Sequence, residues 1–300
     1  MKTYLITGGA GFIGTNLAHY LIEQGDKVIV VDDLSAGKQE RLPKDVTFHK
    51  LDVCDTKALA EVCKGVDVIV HLAALPRVQF SIEQPFAAQK VNVDGTLSVL
   101  EAARQAKVPR VIFAASSSAY GDQEELPLSE TLPPQPKSPY ALHKLMGEHL
   151  MKLWHELHGI ETVSLRFFNI YGPHMDPDGA YALVVGKFLK MRKEGAPLTI
   201  TGDGEQTRDF THVNDLNRAI ELAALSDSVG TGEVLNVGAG NDITINRVAE
   251  LIGGPTEYIP PRIEPRYTRA DISRIKAALG WEPEINFDDG LAALKKEWGI

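Results

Sequence analysis

The sequence predicts an α/β protein, a doubly wound parallel sheet with a smaller α/β lobe laid over its mouth. Three observations carry that reading. Short runs rich in Val, Ile and Phe recur through the first half without polar alternation, as strands buried on both faces require. Helical patterns separate them, which is the βαβ rhythm of a doubly wound sheet. A glycine-rich turn joins the first run to the first helical pattern.

The strands are expected at 4–7, 27–31, 46–51, 67–72 and 110–115, with helices at 11–24, 56–63 and 86–106 between them. A long helix at 140–158 and a strand at 162–169 follow. The order then becomes irregular. Residues 171–179, rich in Pro, Gly and Asp, read as a loop, and the proline-rich stretch 255–265 reads as extended or looped. Between and after them come helices at 181–194 and 213–225, strands at 198–201 and 233–237, and short helices at 272–279 and 288–298. The expected division is a dinucleotide-binding domain over 1–166, with returning segments near 209–238, and a second lobe from 167–208 and 239–300.

Gly8-Gly9-Ala10-Gly11-Phe12-Ile13-Gly14 stands between the first strand and the first helix. Glycines at 8, 11 and 14 permit a tight turn, close backbone approach to a pyrophosphate, and close packing of helix on strand. The helix start at Phe12, Ile13 and Gly14 offers free N–H groups and a favourable dipole. Asp32 ends the second strand ~18 residues later, placed to accept from both ribose hydroxyls of adenosine. A 2′-phosphate would be repelled there, and Asp33 rather than an arginine comes next, so NAD is favoured over NADP. At the end of the third strand, Asp52 and Val53 either hold adenine or the aspartate caps the following helix. Small residues in Leu72-Ala73-Ala74 let the cofactor cross the sheet edge.

Tyr140 and Lys144 share one helix face. A nearby ammonium favours the phenolate and so lowers a phenol pKa that is normally about 10. Ser116-Ser117-Ser118 closes the fifth strand beside the switch point where such sheets bind ligands. Together a serine, Tyr140 and Lys144 make a proton path from a substrate alcohol, next to a nicotinamide that takes the hydride.

The chain resembles the extended short-chain dehydrogenase/reductases and, among them, the nucleotide-sugar 4-epimerases acting on UDP-glucose or UDP-N-acetylglucosamine. The stretches that carry the resemblance are TGGAGFIG at 7–14, SSSAYGD at 116–122, SPYALHK at 138–144, LRFFNIYGP at 165–173, GDGEQTRDFTHV at 202–213 and ADISRIKAALGWEP at 270–283. It implies a Rossmann fold with NAD as cofactor, and Ser116, Tyr140 and Lys144 as the catalytic set, with Ser117 and Ser118 as helpers. Lys144 would bond the nicotinamide ribose. The implied reaction is transient oxidation of the sugar at C4 and return of the hydride to the other face.

The resemblance also implies a diphosphate clamp from Arg208 and either Arg262 or Arg266, with Asn169, Tyr181 and Thr199 as further contacts to a UDP-sugar. Thr268 falls at the gate for the C2 substituent, where a small residue resembles epimerases that also take N-acetylhexosamines. Arg77, in the loop after Ala74, would instead favour an acidic sugar, which keeps a UDP-glucuronate 4-epimerase in play. Dehydratases and decarboxylases of the same fold place acids between the serine and Tyr120; this chain has none from Ser116 to Tyr120. A non-catalytic NAD-binding scaffold is argued against by the intact Ser, Tyr and Lys set. The helices at 86–106 and 140–158 resemble the pair that builds a four-helix homodimer interface, although their apolar positions equally suit packing on the sheet.

Lys plus Arg is 31 and Asp plus Glu is 40, a formal net charge of −9, which argues against a general binder of nucleic acid or anionic membrane. Cys54 and Cys63 fit no metal spacing and read as reduced core or near-core residues. His155 and His158 read as solvated, with no metal site. With no apolar run near 18 residues, a soluble cytoplasmic protein is the expectation.

Overall fold

A computed structural model describes residues 1–177, 184–261 and 266–300. Tyr181 and Arg262, both expected at the substrate, lie outside the described residues.

The first half runs β1 (Thr3–Thr7), α1 (Phe12–Glu23), β2 (Lys27–Asp32), β3 (Thr47–Lys50), α2 (Thr56–Val62), β4 (Val68–His71), α3 (Val78–Glu83), α4 (Pro85–Gln89), α5 (Gly95–Ala106), β5 (Arg110–Ser116), α6 (Pro139–His158) and β6 (Glu161–Phe167). The remainder runs β7 (Ile170–Tyr171), α7 (Val184–Glu194), β8 (Leu198–Thr201), β9 (Thr207–Arg208), β10 (Thr211–His212), α8 (Val213–Leu225), β11 (Thr231–Val237), β12 (Ile243–Thr244), α9 (Ile245–Ile252), β13 (Thr256–Ile259), α10 (Ser273–Leu279) and α11 (Phe287–Trp298).

Seven strands form one parallel sheet in the order β11-β6-β5-β4-β1-β2-β3. Successive strand residues point to opposite faces, so each strand feeds two cores. Tyr4 and Ile6 pack with Leu17 and Leu21 of α1 and Leu216 and Ile220 of α8. Leu5 packs the other way, with Leu59 of α2, Leu100 of α5 and Met151 of α6. The strand order reverses between β1 and β4, and the crevice beyond their C-terminal ends is the topological switch point. The last strand, β11, arrives from far along the chain, and Arg110 fastens that edge. Its buried guanidinium donates to the carbonyls of Ala223, Ser226 and Val229 and to Glu161.

Outside this sheet a third core gathers Phe188 and Leu189 of α7, Ile200 of β8, Phe210, Val248 of α9, and Phe287 and Leu291 of α11. Here the structure departs from the expected elements. The strand expected over 162–169 stops at Phe167, and Asn169 takes φ 34°, which turns the chain into β7 beside β10. The helix expected over 86–106 is broken by a π-turn at Lys90–Asp94, and α3 precedes it. Within the proline-rich stretch, β13 pairs in parallel with β8, because its four residues lie between the prolines at 255 and 260 and keep their N–H groups.

Among the described residues no helix is long and apolar enough to cross a membrane, and no group of three or more His, Cys, Asp or Glu is placed to hold a metal ion. Both cysteines are free; Cys63 is buried, and Cys54 is half-buried with its thiol donating to the Lys90 carbonyl. His158 is exposed against Trp154, while His155 is half-buried and contacts the Ile160 carbonyl.

Candidate functional site

The glycine turn is shaped by contacts that exclude side chains. Gly8 has φ 67°, and a Cβ there would come within 2.7 Å of the Ala73 nitrogen. A Cβ on Gly14 would fall 2.5 Å from the Gly9 Cα and 2.6 Å from the Gly8 carbonyl oxygen, so only glycine lets α1 start this close to β1. The α1 N-cap is Gly11, which has no side chain to cap the helix. The N–H groups of Phe12, Ile13 and Gly14 therefore have no partner within the helix and are open to an anion at the helix start. This cradle fits a dinucleotide pyrophosphate.

Asp32 closes one side of the crevice. One carboxylate oxygen accepts from the Ala10 N–H at 3.0 Å and the other from Leu34 N–H at 2.8 Å. Burial raises its pKa, against the pull of those two N–H groups. Each oxygen keeps a second lone pair for a ribose hydroxyl. Asp33 is exposed and folds back on Ser35.

The expected ends of β3 and β4 shift. β3 stops at Lys50, so Asp52 and Val53 lie in the following turn. Val53 is buried under Gly95, whereas Asp52 is exposed and accepts from the Cys54 N–H. The α2 cap is Asp55, which accepts from the Ala58 N–H at 3.0 Å; the capping role considered for Asp52 is thereby corrected. Likewise β4 stops at His71, and Leu72, Ala73 and Ala74 form the loop beyond it. His71 is buried between the hydroxyls of Thr7 at 2.7 Å and Thr96 at 3.0 Å, and burial pushes its pKa down to about 3.

Ser116 ends β5 and caps the 3₁₀ turn Ser117–Tyr120. Its Oγ accepts from the Ser118 N–H at 3.2 Å and from the Ser118 hydroxyl at 2.8 Å. With those lone pairs taken, its own proton is left to donate outward. The helper role expected of Ser118 thus has a contact to work through; Ser117 opens the turn itself.

The chain sets α6 against β5 by local means. Ser138 caps α6 by accepting from the Ala141 N–H, and Pro139 occupies the first turn, where no N–H is needed. The first-turn N–H of Tyr140 is taken by Ser81 Oγ of α3 at 3.1 Å. One face of α6 presents Gly147 to Phe113, and a Cβ there would fall 2.3 Å from the ring. This close approach buries Lys144, whose ammonium lies 4.8 Å from the Phe113 ring centroid and donates to the Ala114 carbonyl at 2.7 Å. Burial pushes the ammonium pKa down to about 7, with Glu148 pulling the other way. Tyr140, one turn earlier on α6, is 7% exposed. The structure therefore draws Lys144 onto β5 two residues before Ser116.

Behind them lies a buried polar chain that the sequence reading missed. Glu148 grips Arg166 of β6 with both oxygens at 2.8 Å, and the guanidinium lies 4.5 Å from the Tyr120 ring centroid. Tyr120 donates its hydroxyl to Asn236 of β11 at 2.7 Å. The signal was present in Lys144 and Glu148 at i,i+4 spacing.

The residues expected at the diphosphate come from three segments. Arg208 is half-buried on β9 and donates to the Thr207 carbonyl. The Thr207 N–H donates to the Arg266 carbonyl, which brings the 266–268 segment alongside. The Arg266 side chain is exposed and paired with Asp203 at 2.9 Å. Thr268 is half-buried with its Oγ shielded from solvent and no hydrogen-bond partner. Asn169 donates its side-chain N–H to the Asp209 carbonyl at 3.0 Å, and the Thr199 hydroxyl turns towards Met191 Sδ. Arg77 is exposed and precedes α3. Asp209 itself, fully buried, was not foreseen; burial pushes its pKa up to about 6, against the backbone N–H groups of Ala270, Ala239 and Gly240.

Residues 4–238 match the model of the NAD dependent epimerase/dehydratase family. A UDP-glucose 4-epimerase of Mycolicibacterium smegmatis is 37% identical, covering 97% of this chain and 96% of its own length. A UDP-glucuronate 4-epimerase of Thermodesulfobacterium geofontis is 35% identical, covering 97% and 94%. The solved structure of a UDP-N-acetylglucosamine 4-epimerase from Methanobrevibacter ruminantium, in complex with UDP-N-acetylmuramic acid, superposes with a TM-score of 0.93 at 36% identity, over 100% of this chain and 98% of that one.

Proposed function

The chain belongs to the NAD dependent epimerase/dehydratase family, and on that premise we propose that it is a UDP-sugar 4-epimerase taking UDP-glucose and UDP-galactose together with their N-acetylated counterparts. The observation that carries the reaction type is the join between α6 and β5, which gathers Lys144 and Ser116 beside the switch point with no carboxylate between Ser116 and Tyr120. Such an acid is what elimination or decarboxylation of the sugar would call for. The small Thr268 supports room at C2.

The cofactor is NAD, which when bound supplies a reversible hydride acceptor. Phe12, Ile13 and Gly14 would hold its pyrophosphate through their N–H groups, Asp32 the adenosine ribose, and Val53 the adenine. Tyr140 removes the proton from the 4-hydroxyl and returns it, with the Ser116 hydroxyl donating to the same oxygen. Lys144, which donates to the Ala114 carbonyl, would bond the nicotinamide ribose, and its positive charge would favour the phenolate. Arg208 holds the diphosphate, with Arg262 or Arg266 completing the clamp; the Arg266–Asp203 pair is exposed and screened by solvent, and so is readily exchanged for phosphate. In this reading the main sheet is the NAD domain, and the third core belongs to the lobe that binds the sugar nucleotide.

We also propose a homodimer through α3 to α6. Phe86 is 88% exposed and Leu157 62%, with Ile82, Leu97, Leu142, Met146 and Leu153 exposed on the same helices. That much apolar surface on neighbouring elements marks a protein interface.

The deciding experiment incubates the protein with UDP-glucose, UDP-N-acetylglucosamine and UDP-glucuronate without added NADH and separates the products, with sedimentation reporting the dimer. Formation of UDP-galactose and UDP-N-acetylgalactosamine is expected. Turnover of UDP-glucuronate alone would transfer the assignment to the acidic sugar, the second reading that Arg77 favours. No 4-epimer from any of the three would overturn the proposal.

A further inference from the structure

Asp209 has the hydrogen bonding of a junction. Its carboxylate is fully buried and takes three backbone N–H groups from two separate stretches of chain: Ala239 at 2.8 Å, Gly240 at 3.0 Å and Ala270 at 2.9 Å. Its own carbonyl accepts the side-chain N–H of Asn169 at 3.0 Å. Among the described residues no cation bonds the carboxylate, which is held by backbone amides.

The segments joined in this way carry the proposed substrate contacts. Arg208 is the preceding residue. Thr268 lies two residues before Ala270, and Arg266 four before it. Asn169, at a positive φ, is oriented by the Asp209 carbonyl. The packing leaves no slack. A Cβ on Gly238 would stand 2.4 Å from the Ala270 Cβ and 2.9 Å from an Asp209 carboxylate oxygen, so the loop after β11 passes here only as glycine. A short residue with one carboxylate thus fixes the distance between the diphosphate arginine and the gate threonine.

We propose that Asp209 is the positioning residue of the sugar-nucleotide site, setting Arg208, Asn169 and the Thr268 segment in register through its carboxylate and carbonyl. This rests on the sugar-nucleotide reading above. Asp209 is fully buried with its carboxylate taken up by backbone amides, so its influence falls on binding of the nucleotide and on discrimination at C2, and not on the hydride step. The side chain is buried among amides that point at it, and an Asn there would turn its own N–H₂ against them.

The test uses the full chain with its bound cofactor. Asp209→Asn should raise the KM for a UDP-sugar, and weaken UDP binding by calorimetry, by about tenfold or more, since a buried acceptor facing several donors is lost. It should leave kcat within about threefold and NAD content as in the wild type, and it should narrow the difference between acetylated and unacetylated sugars. Gly238→Ala displaces the same junction without changing any charge and should give the same pattern; it decides the matter alone if Asp209→Asn does not fold. Variants that lose only thermal stability and keep the wild-type KM and sugar preference would overturn the proposal, as would loss of kcat at unchanged KM or loss of NAD. A wild type that binds no UDP would bring down the sugar-nucleotide reading first, and this inference with it.

Discussion

Glu148 and Arg166 form a two-pronged ion pair in which each partner's side chain is only 4% exposed. Such a pair adds little net stability when intact, yet removing one partner strands a buried charge. Among the described residues Arg166 pairs with no other carboxylate, and its remaining nitrogen has no hydrogen-bond partner. Glu148→Ala should therefore destabilise the fold by about 3–5 kcal/mol, read as a drop in the urea midpoint. The double change Glu148→Leu with Arg166→Met should recover most of that loss.

Gly14→Ala tests the phosphate cradle. The added Cβ meets backbone atoms at 2.5 and 2.6 Å, which cannot rotate away. Lifting α1 off the turn should cost about 1–3 kcal/mol of stability. It should also empty the protein of NAD, measured by releasing and quantifying the nucleotide after purification.

Tyr140→Phe separates chemistry from scaffold. The ring is buried and its backbone N–H is held by Ser81, neither of which depends on the hydroxyl. Epimerisation should fall by at least about 10²–10⁴-fold. The circular dichroism spectrum and NAD content should not change.

Thr268→Tyr tests the gate. The Thr268 hydroxyl is enclosed, so a phenol must take its room from the neighbouring space. Turnover of UDP-N-acetylglucosamine should fall at least about tenfold relative to UDP-glucose, as a steric penalty of about 1–3 kcal/mol predicts. Equal loss on both sugars would remove Thr268 from the specificity argument.

His71 makes the stability pH-dependent. Its ring stays neutral in the folded state down to about pH 3, while the unfolded chain takes up a proton below about 6.5. Between those values the unfolded state binds more protons, so stability is full above pH 6.5 and is lost as pH falls towards 3. Urea midpoints at pH 7.5 and pH 5 should differ, and His71→Gln should reduce that difference.

The parts legible in the sequence were those governed by short-range rules. Strands buried on both faces announce themselves as apolar runs, and Gly8, Gly11 and Gly14 have a spacing that only a tight turn uses. The long helix expected from residue 140 starts at Pro139, within a residue of its expected place. Asp209 was invisible for the opposite reason: its partners are backbone N–H groups 30, 31 and 61 residues away, which leave no pattern in side chains. The two-residue strands β7, β9, β10 and β12 are set by tertiary pairing rather than by propensity. The π-turn inside 86–106 is likewise hidden, since its residues have ordinary helical periodicity.

The staple at Arg110 also bears on how the chain is made. A ribosome emits β5 more than a hundred residues before the carbonyls of Ala223, Ser226 and Val229 that its guanidinium needs. Until then β6 is an open sheet edge, because its outer neighbour β11 has yet to be synthesised. A nascent chain halted near residue 200 holds the Arg110 cation short of those acceptors beside an unpaired parallel strand, the kind of open edge that recruits other strands. Maturation of this protein is thus gated by its last third, and fragments lacking β11 should be clients of chaperones rather than free-standing domains.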